Sequence, residues 1–165
     1  MKRVAQFEKV SYQQFINDWK DTFDNETDVY DEIEFPKRAT SGSAGYDFYS
    51  PLDFTLNPGE TIKIPTGIRV KIEDGWVLKI YPRSGLGFKY RLQLNNTVGI
   101  IDGDYYNSDN EGHIFIKITN DTNEDKVITV KKGDGFAQGI FVEYGITVDD
   151  TAQGVRNGGF GSTSK

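Results

Sequence analysis

Two hydrophobic periods divide the chain. Early on, Tyr12, Phe15, Ile16, Trp19 and Phe23 recur at helical spacing and fall on one face. Ser11 followed by Gln14 makes a capping-box pattern, with Val10 and Phe15 placed as its hydrophobic staple. The pattern predicts a short amphipathic helix over about 11–21. An acidic loop over 24–32 follows. From Ile33 the period changes to two. Residues 61–64, 67–72, 76–81, 113–119, 127–130 and 136–144 read as strands. Turn signals separate them at Asn57-Pro58-Gly59, Asp74-Gly75 and Lys132-Gly133-Asp134-Gly135. Many short strands with no helices between them predict an all-β sandwich, barrel or jelly roll. The C-terminal stretch from Arg156 is rich in glycine and serine and reads on composition as a flexible tail.

Composition narrows the chemistry more than the fold. The 165 residues suit one domain with a real core, and 36% hydrophobic with 27% charged residues is ordinary for a globular protein. A net charge of −6 argues against a broad nucleic-acid or anionic-membrane surface, though not against a local basic pocket for phosphates. The absence of cysteine excludes disulfides, thiolate catalysis and thiolate-bound metal. A single histidine, His113, excludes a histidine-rich zinc site and reads as a structural side chain at the head of a strand. The N-terminus lacks the apolar run of a signal peptide, and no segment approaches the ~18 apolar residues that span a bilayer. The expectation is a cytoplasmic protein.

Five clusters carry candidate chemistry. Residues 39–48 are small residues leading into a strand that carries Asp47. In residues 81–87, Arg83 and Ser84 precede Gly85 and Gly87, whose N–H groups can face an anion. Residues 96–105 are a Val- and Ile-rich run ending in Asp102 and Asp104 around Gly103, followed by Tyr105. A carboxylate on a stiff strand edge beside a flat ring suits general-base chemistry next to a bound ring or sugar; the plainer reading is a hairpin with a solvated Asp-Gly turn. Residues 133–138 and 156–163 complete the set. Together they supply two arginines, small hydroxyl residues, backbone donors, two key carboxylates and two aromatics. That inventory suits a nucleoside triphosphate with a divalent metal. The run Asp121 to Asp125 imitates the opening of an EF-hand, but it lacks the sixth-position glycine and has Lys132 where the twelfth ligand belongs.

In this order and spacing the five clusters resemble the five motifs of the homotrimeric dUTPases, over roughly 35–165. The resemblance implies a β jelly roll that trimerises, with active sites shared between subunits. It divides the chain into an N-terminal extension with the helix (1–32), a β domain (33–153) and a Gly-rich arm (154–165) that closes a neighbouring site. Asp102 then matches the carboxylate that activates water for attack on the α-phosphorus of dUTP, giving dUMP and pyrophosphate. Asp47 matches an outer-sphere ligand of the substrate's Mg²⁺. Arg83, Ser84, Gly85 and Gln138 match contacts to the phosphate chain. Arg156, Gly161 and Ser162 match γ-phosphate contacts, and Phe160 matches a ring stacked on uracil. A hairpin with Asn96, Gly99 and Ile101 would pair with uracil through its backbone, and Tyr105 would lie under the deoxyribose and exclude a 2′-hydroxyl.

Three departures stand out. Residues 107–111 look like a small insertion beside the site, Gly135 and Phe136 replace a more usual basic-aliphatic pair, and the N-terminal helix is additional to the common core. Two other readings share the fold. A dCTP deaminase, or a bifunctional deaminase-dUTPase, is echoed by Glu111-Gly112-His113-Ile114, but Lys117 stands where that family has its glutamate. A dUTPase-fold protein with an added repressor- or protein-binding role would use the N-terminal helix or the 107–111 insertion.

Overall fold

Burial alternates along about half of the strands of the computed structural model, which describes residues 1–159. In chain order the protein runs β1 (Ala5–Lys9), α1 (Tyr12–Phe23), a 3-10 turn (Val29–Glu32), β2 (Lys37–Arg38), β3 (Tyr46–Tyr49), β4 (Phe54–Leu56), β5 (Thr61–Pro65) and β6 (Ile68–Ile72). It continues with β7 (Trp76–Pro82), α2 (Ser84–Tyr90), β8 (Leu92–Leu94), β9 (Gly99–Ile101), a second 3-10 turn (Gly103–Asn107), β10 (Phe115–Asn120), β11 (Ile128–Val130) and β12 (Gly135–Glu143). In β10, Ile116, Ile118 and Asn120 are buried while Lys117 faces out, the signature of a sheet wet on one side.

The strands pair in four antiparallel sheets: β2-β3-β12-β7-β9, β5-β10-β8, β11-β4 and β1-β6. This is an all-β fold with a short N-terminal helix, as the pattern predicted, and of the three architectures left open it is the jelly roll that the resemblance implied. β12 is the spine of the largest sheet, with β3 on one side and β7 along most of its length on the other. One core, including Phe48, Ile64, Leu78, Ile80, Ile116 and Phe136, fills the space between the sheets. The expected turns contain glycines in the left-handed region: Gly59, Gly75 and Gly133.

A second, smaller core lies under the helix. Val10, Phe15, Trp19 and Val29 are buried together, with Ile33 and Leu52 bridging to the main core. The staple of Val10 on Phe15 therefore forms as the sequence implied. Burying Phe15 and Trp19 is worth about 1.5–3 kcal/mol for each side chain. Half of the capping box also forms: Ser11 Oγ accepts from the Gln14 N–H at 3.2 Å. The other half is taken by Glu111, whose carboxylate accepts from the Ser11 N–H at 2.8 Å and its hydroxyl at 2.6 Å. Gln14 turns instead to Asp18.

Several elements lie outside the sequence reading, the short strands β2, β4 and β8 among them, and two of the differences shape the fold more. β1 was not expected; it pairs along its whole length with β6, from Ala5↔Ile72 to Lys9↔Ile68. The N-terminal extension is therefore part of the sheet as well as a helix. α2 was not expected either; Ser84–Tyr90 is helical and ends at Arg91 in the left-handed region. Leu86 and Tyr90 pack on the core, and that contact outweighs the low helix propensity of Gly85 and Gly87.

Candidate active site

The sequence clusters condense into two groups of side chains. The first lies where β3, β12 and β7 meet. Register places Gln138 opposite both Asp47 and Tyr81. Asp47 is mostly buried, 3.7 Å from Arg83 Nε, while Arg83 remains half-exposed. Gln138 Nε2 donates to Pro82 O and Ser84 Oγ, both at 3.2 Å. Arg83 is also the N-cap residue of α2, so the first-turn N–H groups of Ser84 and Gly85 follow it directly. Gly135 makes the arrangement possible. A Cβ there would sit 3.1 Å from Arg83 Nη1, so the guanidinium lies in the space of an absent side chain. Of the two residues that replace the more usual basic-aliphatic pair, Gly135 thus bears on Arg83 directly, whereas Phe136 is pure core.

The second group forms at the end of β9. The plainer of the two readings, a hairpin with a solvated Asp-Gly turn, does not form: Asp102 is the N-cap residue of a 3-10 turn, Gly103–Asn107. Its carboxylate, half-exposed, accepts from Arg156 Nη2 at 2.6 Å, and Asp104 accepts from Arg156 Nε at 2.8 Å. Asp104 was missed as a site residue; its signal was its place two residues from Asp102, which lets one guanidinium fork across both. These groups border a cavity of about 850 Å³ with Lys71 and Lys79 in its wall. Tyr105 is buried beside them. Its hydroxyl donates to His113 O at 2.5 Å and accepts from Asn110 Nδ2 at 2.9 Å. Burial pushes the Tyr105 phenol above its ordinary range, which keeps it a neutral donor. The arm passes close by: Asn157 O accepts from the Asp109 N–H, and a Cβ on Gly159 would come within 2.8 Å of the Tyr105 ring. Phe160, Gly161 and Ser162 lie outside the described residues.

Between the groups runs the 95–101 segment. Leu94 and Thr97 bridge, with Asn96 exposed at the tip. Thr97 has a positive φ of 65°, rare for a β-branched residue. Such strain is characteristic of functional loops. Gly99 and Ile101 pair with Ile80 and Leu78. The Ile101 side chain is core, so contact with a ligand is left to its backbone. A cavity of about 390 Å³ opens here, lined by Asn95, Asn96, Val98, Gly99, Phe115 and Lys117 among others.

The two groups do not meet. Asp102 follows Ile101, the partner of Leu78, whereas Asp47 and Arg83 sit at the Pro82 end of β7. Along the strand that is about 15–20 Å. His113 is structural, as expected: fully buried, it accepts from the Gly67 N–H through Nε2 and meets Asp18 through Nδ1. Among the described residues, no three His, Cys, Asp or Glu side chains gather as a metal cage.

Fold and site together define a β jelly roll that sets single carboxylates and arginines at strand ends around open clefts, equipment for handling a phosphate ester. More specifically, the chain belongs to the dUTPase family, whose family model matches residues 31–164. The deoxyuridine 5′-triphosphate nucleotidohydrolase of Lactococcus lactis is 45% identical over 134 residues, covering 79% of this chain and 88% of that protein. Its counterpart in Hahella chejuensis is 40% identical over 142 residues, covering 80% and 88%. The crystal structure of the Streptococcus mutans dUTPase superposes with a TM-score of 0.62 at 32% identity, covering 87% of this chain and 98% of that one.

Proposed function

We propose that this protein hydrolyses dUTP to dUMP and pyrophosphate, keeping uracil out of DNA and supplying dUMP for dTMP synthesis. The observation that carries the reading is that Asp102, half-exposed at a rigid strand end, borders a cavity shared with Lys71, Lys79 and Arg156. Asp102 accepts a proton from a water as its oxygen bonds to the α-phosphorus. The bond from that phosphorus to the bridging oxygen breaks, and its electron pair leaves with pyrophosphate. Arg83, Ser84, Gly85 and Gln138 hold the phosphate chain. Arg156 exchanges its carboxylate partners for the γ-phosphate as the arm closes, with Gly161 and Ser162 beside it and Phe160 over the base. Uracil pairs with the backbone of the segment carrying Asn96, Gly99 and Ile101. Cytosine would leave buried groups unpaired there, and thymine would add a methyl. Tyr105 supports the deoxyribose.

The donor set fits Mg²⁺ carried by the substrate. A hard cation that keeps most of its waters and takes phosphate oxygens needs few protein carboxylates, and Asp47 supplies one through water. The chemistry such an ion would supply there is neutralisation of charge on the departing pyrophosphate.

We infer a homotrimer, as the family resemblance implies, and the distance between the two groups supports a site shared between copies. A base must lie within about 3 Å of its water, while Arg83 of the same chain lies far down β7. A site that uses both takes them from two copies, closed by an arm. Cytoplasmic residence remains part of this proposal; among the described residues no helix is long and apolar enough to cross a membrane. A deaminase is disfavoured because Lys117 is exposed on β10 and His113 is sealed in the core. An added protein-binding role gains no specific support, since the helix cap and the insertion bond to each other through Ser11 and Glu111.

The test is pyrophosphate release from dUTP, dCTP, dTTP and UTP with Mg²⁺. Turnover of dUTP is expected to exceed the others at least 100-fold, about 2.7 kcal/mol in transition-state binding. Comparable consumption of dCTP with ammonia release would overturn the assignment.

A further inference from the structure

The N-terminal segment lies almost wholly outside the matched family region, which begins at residue 31. Yet its polar contacts converge on the stretch that follows Asp102. Glu8 accepts from the Tyr106 hydroxyl at 2.7 Å. Ser11 donates twice to Glu111. Asp18, on the inner side of α1, accepts from Gln14 Nε2 and meets His113 Nδ1. The Gly67 N–H donates to His113 Nε2 at 2.8 Å, so the ring proton sits on Nδ1 and points at Asp18. The His113 carbonyl then accepts the Tyr105 hydroxyl. A continuous path of hydrogen bonds thus runs from the helix, through the one histidine, to the ring beneath the proposed sugar site.

The stretch needs such support. Glu111 and Gly112 both adopt positive φ, 60° and 71°. Glu111 is not a residue that favours that conformation, and its carboxylate is the one held by Ser11. The corner is therefore held in part from outside, by the segment that precedes the family core.

We propose that Asp18, acting through His113, is a positioning residue for Tyr105, and that β1 and α1 together splint the segment following the general base. The splint sets sugar discrimination and substrate affinity more than the chemical step. This rests on the reading of Tyr105 as the sugar-facing ring.

The test compares Asp18→Leu, Asp18→Asn and Tyr105→Phe in the full chain, measuring kcat and KM for dUTP and UTP. Asp18→Leu is expected to raise KM for dUTP and to lower the dUTP-to-UTP ratio of kcat/KM about tenfold, with kcat for dUTP within about threefold. Tyr105→Phe, which loses the hydroxyl bond to His113, should lower the ratio similarly. Asp18→Asn keeps an acceptor for the His113 N–H and should restore the ratio. If Tyr105→Phe lowers the ratio and folded Asp18→Leu does not, the proposal fails while the Tyr105 reading stands. If Tyr105→Ala leaves the ratio unchanged, the Tyr105 reading itself fails. Should Asp18→Leu not fold, Glu111→Gln removes the charge from the milder contact. It should lower the ratio in the same direction, and an unchanged ratio would overturn the splint.

Discussion

Replacing Asp102 by Asn separates chemistry from stability. The side chains are nearly isosteric, so the strand end and the 3-10 turn should be undisturbed. Two things are lost. One is the base, expected to lower turnover by roughly two to four orders of magnitude, or about 2.7–5.4 kcal/mol in the barrier. The other is the charge facing Arg156. That pair is short at 2.6 Å, but the Asp102 side chain is 47% exposed and Arg156 keeps Asp104 at 2.8 Å. An ion pair so placed contributes about 1 kcal/mol at most. For a chain of this size that moves the melting temperature by roughly 2–4 °C. The assays are single-turnover pyrophosphate release, calorimetric binding of a non-hydrolysable dUTP analogue, and thermal melting. The expected result is a large fall in rate with binding and melting nearly preserved. Near wild-type turnover would remove Asp102 from the mechanism. A melting loss of ten degrees or more would mean the carboxylate is chiefly structural.

Deleting residues 154–165 should abolish most turnover while melting without ligand stays within a few degrees, because the arm's described ion pairs are partly exposed; undiminished turnover would return the arm to a plain tail. Glu111 gives a pH signature. Burial pushes its carboxyl up, but the two hydrogen bonds from Ser11, with Arg69 and His113 nearby, leave it below its ordinary 4.5. A lowered folded value means stabilisation present above the unfolded value and lost as pH falls through the folded one. The melting gap between wild type and Glu111→Gln should therefore shrink below about pH 4, and a gap unchanged at pH 3 would contradict this. Phe15→Ala empties the fully buried centre of the small core and should cost about 3–5 kcal/mol; a loss under 1 kcal/mol in a denaturant titration would mean the helix is not docked.

Legibility in the sequence followed the range of the interactions. Strands such as β6 and β10 alternate strictly, so their burial could be read locally. The turns at Gly59, Gly75 and Gly133 and the staple of α1 were equally local. β1 was hidden because it has one large apolar residue, Phe7, and owes its existence to β6, a strand far along the chain whose Val70 it meets through Phe7. α2 was hidden by two glycines that local propensity counts against it. In the site, motif spacing marked Asp47, Arg83, Asp102 and Arg156. It could not tell that β7 holds Arg83 and Asp102 apart, since that depends on the registers of β9 and β12. Nor could it find Asp104, which matters through Arg156, or Glu111, which completes a helix cap from a hundred residues away.

The central claim is that one site takes Asp102 and Arg83 from different copies, and subunit mixing tests it most directly. Asp102→Asn and Arg83→Ala chains are each expected to be nearly inactive alone and to form trimers of about three times 18.6 kDa. Unfolded together in equal amounts and refolded, they should assemble at random. A site then pairs an intact Asp102 with an intact Arg83 about one time in four, so roughly a quarter of wild-type activity should return. A mixture that stays as inactive as its parents, while forming mixed trimers, would contradict the shared site.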